Sequence, residues 1–248
     1  MTEIKRTALV TGGNRGLGEA IACALLDAGH AVIIAHTPGN PRIPAWLQAQ
    51  ATQGRRFTAY GVDVADFGST QALARQIHED GRQVDILVNN AGIVRDATLR
   101  KLEFDDWDQV LRTNLYSMFN MTKPLLGPML ERGWGRIINI SSINGTKGQF
   151  GQTNYSASKA GVHGFTMALA QEVARKGITV NTVAPGYLDT EMVRGVPEDA
   201  LRRIIDGIPV GRLGQPAEIA ALVVFMASDA AAFMTGSRVS MNGGQHMA

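Results

Sequence analysis

The stretch Thr7–Gly18, TALVTGGNRGLG, decides the fold class of this 248-residue chain. Its first five residues are apolar or β-branched with little polar alternation, the pattern of a strand buried on both faces of a parallel sheet. Glycines follow at positions 12, 13, 16 and 18, and helical character begins at Gly18. A strand that runs through glycines into a helix makes a tight turn, lets the backbone approach a ligand, and aims free N–H groups at it. A pyrophosphate suits such a turn. The spacing is G-x3-G-x-G rather than the common G-x-G-x-x-G, so the motif alone also reads as an ordinary glycine-rich βα turn.

The same alternation continues along the chain. Ala31–Ala35, Phe57–Val62, Ile86–Asn89, Arg136–Ile140, Thr179–Ala184 and Arg238–Met241 complete seven predicted strands. Between them, Gly18–Ala28, Ser69–Asp80, Phe104–Thr122, Asn154–Lys176 and Pro216–Ala227 carry apolar residues at three- and four-residue spacing and are predicted as covering helices. The expected architecture is α/β: a Rossmann-type, doubly wound, parallel seven-stranded sheet with helices on both faces. One domain is expected over residues 1–248. A segment at about 186–210, with prolines and glycines framing short helical pieces, is expected to form a lid over the carboxyl edge of the sheet, where such folds bind ligands.

Composition narrows the class. Apolar residues make up 45% and charged residues 19%, with 24 Lys plus Arg against 22 Asp plus Glu in no long run of one sign. Disordered, collagen-like and coiled-coil chains are excluded, and nothing calls for nucleic acid or an anionic membrane as partner. The single cysteine, Cys23, cannot close an intrachain disulfide and reads as a small buried core residue. The longest apolar run, Ile219–Ala227, is well short of the roughly 18 residues of a membrane span. The run after Lys5 and Arg6 is too short for a signal peptide, so a cytoplasmic location is expected. No metal is expected.

The end of strand two discriminates between nucleotide cofactors. An Asp or Glu usually accepts hydrogen bonds there from the ribose 2′-hydroxyl of NAD, but this strand ends Ala35-His36-Thr37. Arg15 in the glycine loop and Arg42 beyond the strand can instead pair with a 2′-phosphate. NADPH/NADP+ is therefore the expected cofactor, with Gly12, Asn14, Arg15, Gly16, Leu17, Gly18 and Arg42 as contacts. Asp63 and Val64 follow strand three and can meet an adenine ring. Asn90, Ala91 and Gly92 follow strand four, where small residues let the chain pass close to a ligand.

Tyr155 and Lys159 are four apart in a helical segment and project from one face. A tyrosine of ordinary pKa is only about 0.1% ionised at pH 7, and a neighbouring ammonium favours the phenolate. Ser142, just after strand five, can present a hydroxyl to the same carbonyl oxygen. Asn114 offers an amide suited to holding a water or bending its long helix. A Tyr-x3-Lys pair alone is common surface decoration; behind a nucleotide loop and a strand-borne serine it is not.

With TGGNRGLG, Asp63, NNAG at 89–92, Asn114, Ser142, YSASK at 155–159 and Pro185-Gly186 in this order, the chain resembles the short-chain dehydrogenase/reductase family across essentially its whole length. The resemblance implies hydride transfer between nicotinamide and a carbonyl or alcohol. Tyr155 would be the general acid in reduction, and Lys159 would lower its pKa and bind the nicotinamide ribose. Ser142 would polarise the carbonyl, Asn114 would position a relay water, and Pro185, Gly186 and Thr190 would flank the nicotinamide.

Within the family the chain is similar to NADPH-dependent acetoacetyl-CoA reductases of polyhydroxybutyrate synthesis, most strongly over Trp134–Tyr187 and Asn242–Met247. That likeness implies (R)-3-hydroxybutyryl-CoA as product, and Asp96, Lys101, Gln149, Phe150, Gln152 and Tyr187 as substrate contacts. It also implies a homotetramer built on the two longest helices. The chain departs from the group at Asn14-Arg15 and at Ile43. The alternatives are a 3-oxoacyl-acyl-carrier-protein reductase of fatty-acid synthesis, a sugar, steroid or polyol dehydrogenase, and a non-catalytic NADP-binding regulator. A regulator would have no need of Ser142, Tyr155 and Lys159.

Overall fold

The computed structural model describes residues 5–195 and 197–247. In chain order the elements are β1 (Thr7–Thr11), α1 (Gly16–Asp27), β2 (Ala31–His36), α2 (Ile43–Thr52), β3 (Thr58–Gly61), α3 (Phe67–Glu79), β4 (Ile86–Asn89) and α4 (Phe104–Leu111). They continue with α5 (Ser117–Arg132), β5 (Gly135–Ile140), α6 (Asn144–Lys147), α7 (Thr153–Val173), β6 (Ile178–Pro185), α8 (Glu191–Arg194), α9 (Glu198–Asp206), α10 (Pro216–Ala227) and β7 (Arg238–Met241). All seven strands pair in parallel, in the order β3-β2-β1-β4-β5-β6-β7. The strand order reverses between β1 and β4, and the crevice beyond their carboxyl ends is where this topology binds a ligand.

Alternation along the strands divides the core. Ala8, Val10, Val32, Ile34, Ile138 and Ile140 face α1 and α10, whereas Leu9, Ile33, Leu87, Ile137 and Val180 face α3, α5 and α7. With both faces covered, β1, β4, β5 and β6 read as nearly unbroken apolar runs.

Two expectations change. A further helix, α2, stands between β2 and β3, its first turn carrying Pro44. It docks on α1 through Glu19, whose Oε1 accepts hydrogen bonds from Trp46 Nε1 at 2.9 Å and Gln50 Nε2 at 2.8 Å. Cys23 lies beneath this helix, half-buried and 3.7 Å from Gln50 Oε1, rather than deep in the core.

The helix expected over Phe104–Thr122 is α4 and α5, joined by a π-helical turn at Arg112–Tyr116. It also runs past Pro124 and Pro128 to Arg132, where Gly133 ends it in the left-handed conformation. Prolines disfavour a helix interior, but burial of Leu125 and Met129 against the sheet carries the helix through them.

Candidate active site

The glycine loop is shaped by contacts that no side chain could share. A Cβ on Gly18 would sit 2.2 Å from the Gly12 carbonyl oxygen, so the first turn of α1 rests directly on the strand end. Gly16 has φ +53° with open space around its Cβ position, a left-handed residue at the mouth of the helix. Arg15 precedes α1 and Arg42 precedes α2, and both side chains are exposed. Among the described residues neither forms an ion pair with a carboxylate. A glycine cradle at a helix N-terminus, with the unpaired Arg15 guanidinium in the same loop, fits a phosphorylated dinucleotide.

The loop after β4 is fastened to this cradle by one residue. Thr11 Oγ1 accepts the backbone N–H groups of Asn90 and Ala91, each at 2.9 Å, and Asn90 Nδ2 returns a bond to the Thr11 carbonyl at 2.9 Å. Asp63 is exposed beyond β3, its carboxylate accepting from Ala65 N at 3.0 Å, while Val64 is buried and its carbonyl accepts from Asn120 Nδ2.

The chemical end gathers around Gly92. A Cβ built there would lie 3.2 Å from Asn114 Oδ1 and 3.6 Å from Lys159 Nζ. Asn114, fully buried in the π turn, accepts from Ile93 N at 2.8 Å and donates to the Ile93 carbonyl at 2.9 Å and to Ser158 Oγ at 3.3 Å. Side chain and turn together tie the bent helix to the loop after β4, and π turns of this kind recur at functional sites. Lys159 is buried, and its Nζ donates to the Ile140 carbonyl at 2.8 Å while lying 5.7 Å from the Tyr155 ring centroid. Burial lowers its pKa to about 8.

Burial raises the Tyr155 pKa, partly offset by the hydrogen bond with Ser142, and the charges of Asp96 and Tyr187 push the same way as burial. The Lys159 ammonium is turned toward the strand end, where it bonds the Ile140 carbonyl.

Pro185 closes β6, and a Cβ on Gly186 would meet Asn242 Cα at 2.8 Å. Thr190 precedes α8. The described parts of the segment at 186–210 contain α8 and α9; Val196 lies outside the described residues. Asp96 and Gln152 meet each other at 2.8 Å across an isolated bridge between Ala97 and Gln152. Lys101, Gln149 and Phe150 are exposed, and Tyr187 is half-buried.

The model for the short chain dehydrogenase family matches residues 6–201. The chain belongs to that family. Two short-chain dehydrogenase relatives named acetoacetyl-CoA reductase come from Cupriavidus necator and Rhizobium meliloti. The first is 51% identical over 98% of this chain and 99% of its own length; the second is 53% identical over 99% and 100%. A relative from Pseudomonas aeruginosa named 3-oxoacyl-acyl-carrier-protein reductase is 46% identical over 98% of both chains. As in its family, the chain is an oxidoreductase that uses a nicotinamide cofactor. Among the described residues no helix is long and apolar enough to cross a membrane.

Several residues that build the site carried no signal of their own in the sequence. Ser141 Oγ donates to the Lys159 carbonyl at 2.8 Å, pinning α7 to the end of β5. Asn154 Nδ2 donates to the Arg95 carbonyl at 2.9 Å, and its Oδ1 accepts from Tyr155 N at 2.8 Å. Asn144 reaches both Ser142 and Gln152. An asparagine or serine beside each recognised residue was visible, but only the backbone path says which ones turn inward.

Proposed function

We propose that this chain reduces acetoacetyl-CoA with NADPH to (R)-3-hydroxybutyryl-CoA, a precursor of polyhydroxyalkanoate. The observation that carries this reading is 51% and 53% identity, over nearly the whole chain, to relatives named for that substrate. Reduction also agrees with a phenol whose pKa is raised by burial, since the carbonyl oxygen needs a proton.

NADPH supplies the hydride when bound. Gly12, whose N–H bonds the Ala35 carbonyl, would let the pyrophosphate approach the backbone, Asn14, Gly16, Leu17 and Gly18 would offer it N–H groups, and Arg15 and Arg42 would take the 2′-phosphate. Asp63 and Val64 would meet the adenine, Asn90, Ala91 and Gly92 would line the ribose path, and Pro185, Gly186 and Thr190 would flank the nicotinamide. Tyr155 gives its phenolic proton to the carbonyl oxygen as the carbonyl carbon receives hydride. Ser142 donates a hydrogen bond to that same oxygen. Lys159 holds positive charge beside Tyr155 and the ribose, and Asn114 holds a relay water.

Asp96, Lys101, Gln149, Phe150, Gln152 and Tyr187 line the acyl pocket, and the exposed Arg95, Arg100 and Lys147 attract the coenzyme A phosphates. The chain acts as one domain with a lid at about 186–210, as a homotetramer in the cytoplasm. Exposed Phe104, Phe119 and Met167 on α4, α5 and α7 support the packing of those helices against another subunit.

Initial-rate NADPH oxidation with acetoacetyl-CoA, with NADH and a longer 3-oxoacyl thioester alongside, tests the reading. Fast turnover of the four-carbon ester with NADPH is expected, and Tyr155→Phe is expected to abolish it while cofactor binding persists. A second reading, reduction of 3-oxoacyl chains on acyl carrier protein, is favoured by the 46% identity to the Pseudomonas aeruginosa relative. Strong carrier-protein activity with weak CoA activity would select it.

A further inference from the structure

We infer that Asn144 is a positioning residue whose side-chain amide fixes Gln152 against Asp96 in the pocket wall; the inference rests on the reductase reading above. Two side-chain bonds compose the chain. Asn144 Nδ2 donates to Gln152 Oε1 at 2.9 Å, and Gln152 Nε2 donates to Asp96 Oδ2 at 2.8 Å.

The direction of these bonds follows from chemistry at one end. An ionised carboxylate only accepts, so Gln152 must turn its NH2 group toward Asp96 and its carbonyl toward Asn144. Asn144 must then present its own NH2 group to Gln152. Its Oδ1 is left buried and without a partner among the described residues, a cost accepted because the carboxylate leaves no other arrangement. The backbone N–H of Asn144 donates to Ser142 Oγ at 3.1 Å, a bond that any residue at 144 would supply.

The side chain of Asn144 is not what holds the local backbone. Ile143 N bonds the Pro185 carbonyl, Gly145 N bonds the Ser142 carbonyl, and Lys147 N bonds the Ile143 carbonyl. The loops after β4 and β5 are also stapled by Ala97 N to the Gly151 carbonyl at 2.9 Å. What the amide adds is a complementary partner for Gln152, and with it a fixed position for the wall facing the acyl group.

A polarity swap tests this. Asn144→Asp places acceptors at both ends of Gln152, whose single NH2 group can satisfy only one. Asn144→Asp with Asp96→Asn restores a complementary chain running in the opposite direction at unchanged net charge. For N144D the expected result is a fall in kcat of about tenfold to a hundredfold, with the KM for NADPH unchanged. For N144D/D96N, kcat rises above that of N144D and of Asp96→Asn alone, and for Asn144→Leu, which cannot hold Gln152, the loss remains. A double variant no better than N144D, or N144L at wild-type kcat, overturns the inference. Should N144D alone not fold, a folded and active N144D/D96N carries the same meaning and an unfolded one overturns it. The comparison uses whichever thioester the wild type reduces, acetoacetyl-CoA or its carrier-protein counterpart. A wild type inactive on both defeats the reductase reading first, which separates the two failures.

Discussion

The ammonium of Lys159 donates to the carbonyl oxygen of Ile140, 2.8 Å away, and lies 5.7 Å from the ring of Tyr155. The two residues thus share a helix face without sharing a hydrogen bond. Burial raises the Tyr155 pKa and lowers that of Lys159 to about 8. Carbonyl reduction is therefore expected to hold from neutral pH and fall above pH about 8 as the cation is lost. A kcat/KM profile from pH 6 to 10 checks this; a limb that stays near 8 in Lys159→Arg, whose charge persists, would contradict the assignment.

The same burial has a consequence for stability. The folded-state pKa of Lys159 lies below the ordinary 10.5, so the folded chain binds fewer protons than the unfolded chain between pH 8 and 10.5. Its contribution to stability is then unfavourable below pH 8, and that penalty disappears as pH rises to 10.5. The difference is about 3 kcal/mol. Lys159→Met is expected to be more stable than wild type at pH 7, with the gap narrowing toward pH 10.5, read as paired melting temperatures.

Arg15 and Arg42 stand at the starts of α1 and α2 with no carboxylate partner among the described residues. A charge-assisted bond to a phosphate is worth about 1.5–3 kcal/mol, and exposure favours the lower end. Arg15→Ala and Arg42→Ala are each expected to reduce the NADPH-to-NADH ratio of kcat/KM about tenfold, with the NADH value little changed. An unaltered ratio in both would remove the guanidinium groups from cofactor choice.

At Gly18 even one methyl group has no room, since its Cβ would lie 2.2 Å from a backbone oxygen. Gly18→Ala must push α1 off the end of β1. A loss of about 2–3 kcal/mol is expected, a fall in Tm of roughly 5–10 °C, together with weaker NADPH binding by fluorescence titration.

Asn114 supplies both an acceptor and a donor to Ile93 across the π turn. Asn114→Leu leaves both Ile93 backbone groups unpaired, at about 1–3 kcal/mol for each buried group. A kcat reduced about a hundredfold, with a lowered Tm, is the expected outcome in initial-rate and thermal-melt measurements.

Strands were the most legible part of the fold because burial on both faces writes itself as apolar runs such as ILVN at 86–89 and ITVNTVAP at 178–185. The helix α2 was not legible: Ile43 and Gln50 are its only buried residues, and its anchor is the distant Glu19. The end of α5 was obscured by Pro124 and Pro128, whose local cost is overridden by packing. In the site, Gly18, Asn114, Ser142, Tyr155 and Lys159 could be named from motif order. The direction of the Lys159 ammonium could not, because it depends on a carbonyl that only the β5 backbone path supplies. Asn144 was equally hidden, since its partners lie on a neighbouring turn and its meaning depends on Asp96, 48 residues earlier in the chain.

Thr11 gathers two amides and a side-chain amide from residues that follow it by almost 80 positions. The glycine motif is complete once residue 18 has been synthesised, but the floor on which it rests is not. Only when β4 has been laid beside β1 does the Thr11 hydroxyl find its donors. A nascent chain ending before Asn89 therefore carries the nucleotide motif without a nucleotide site.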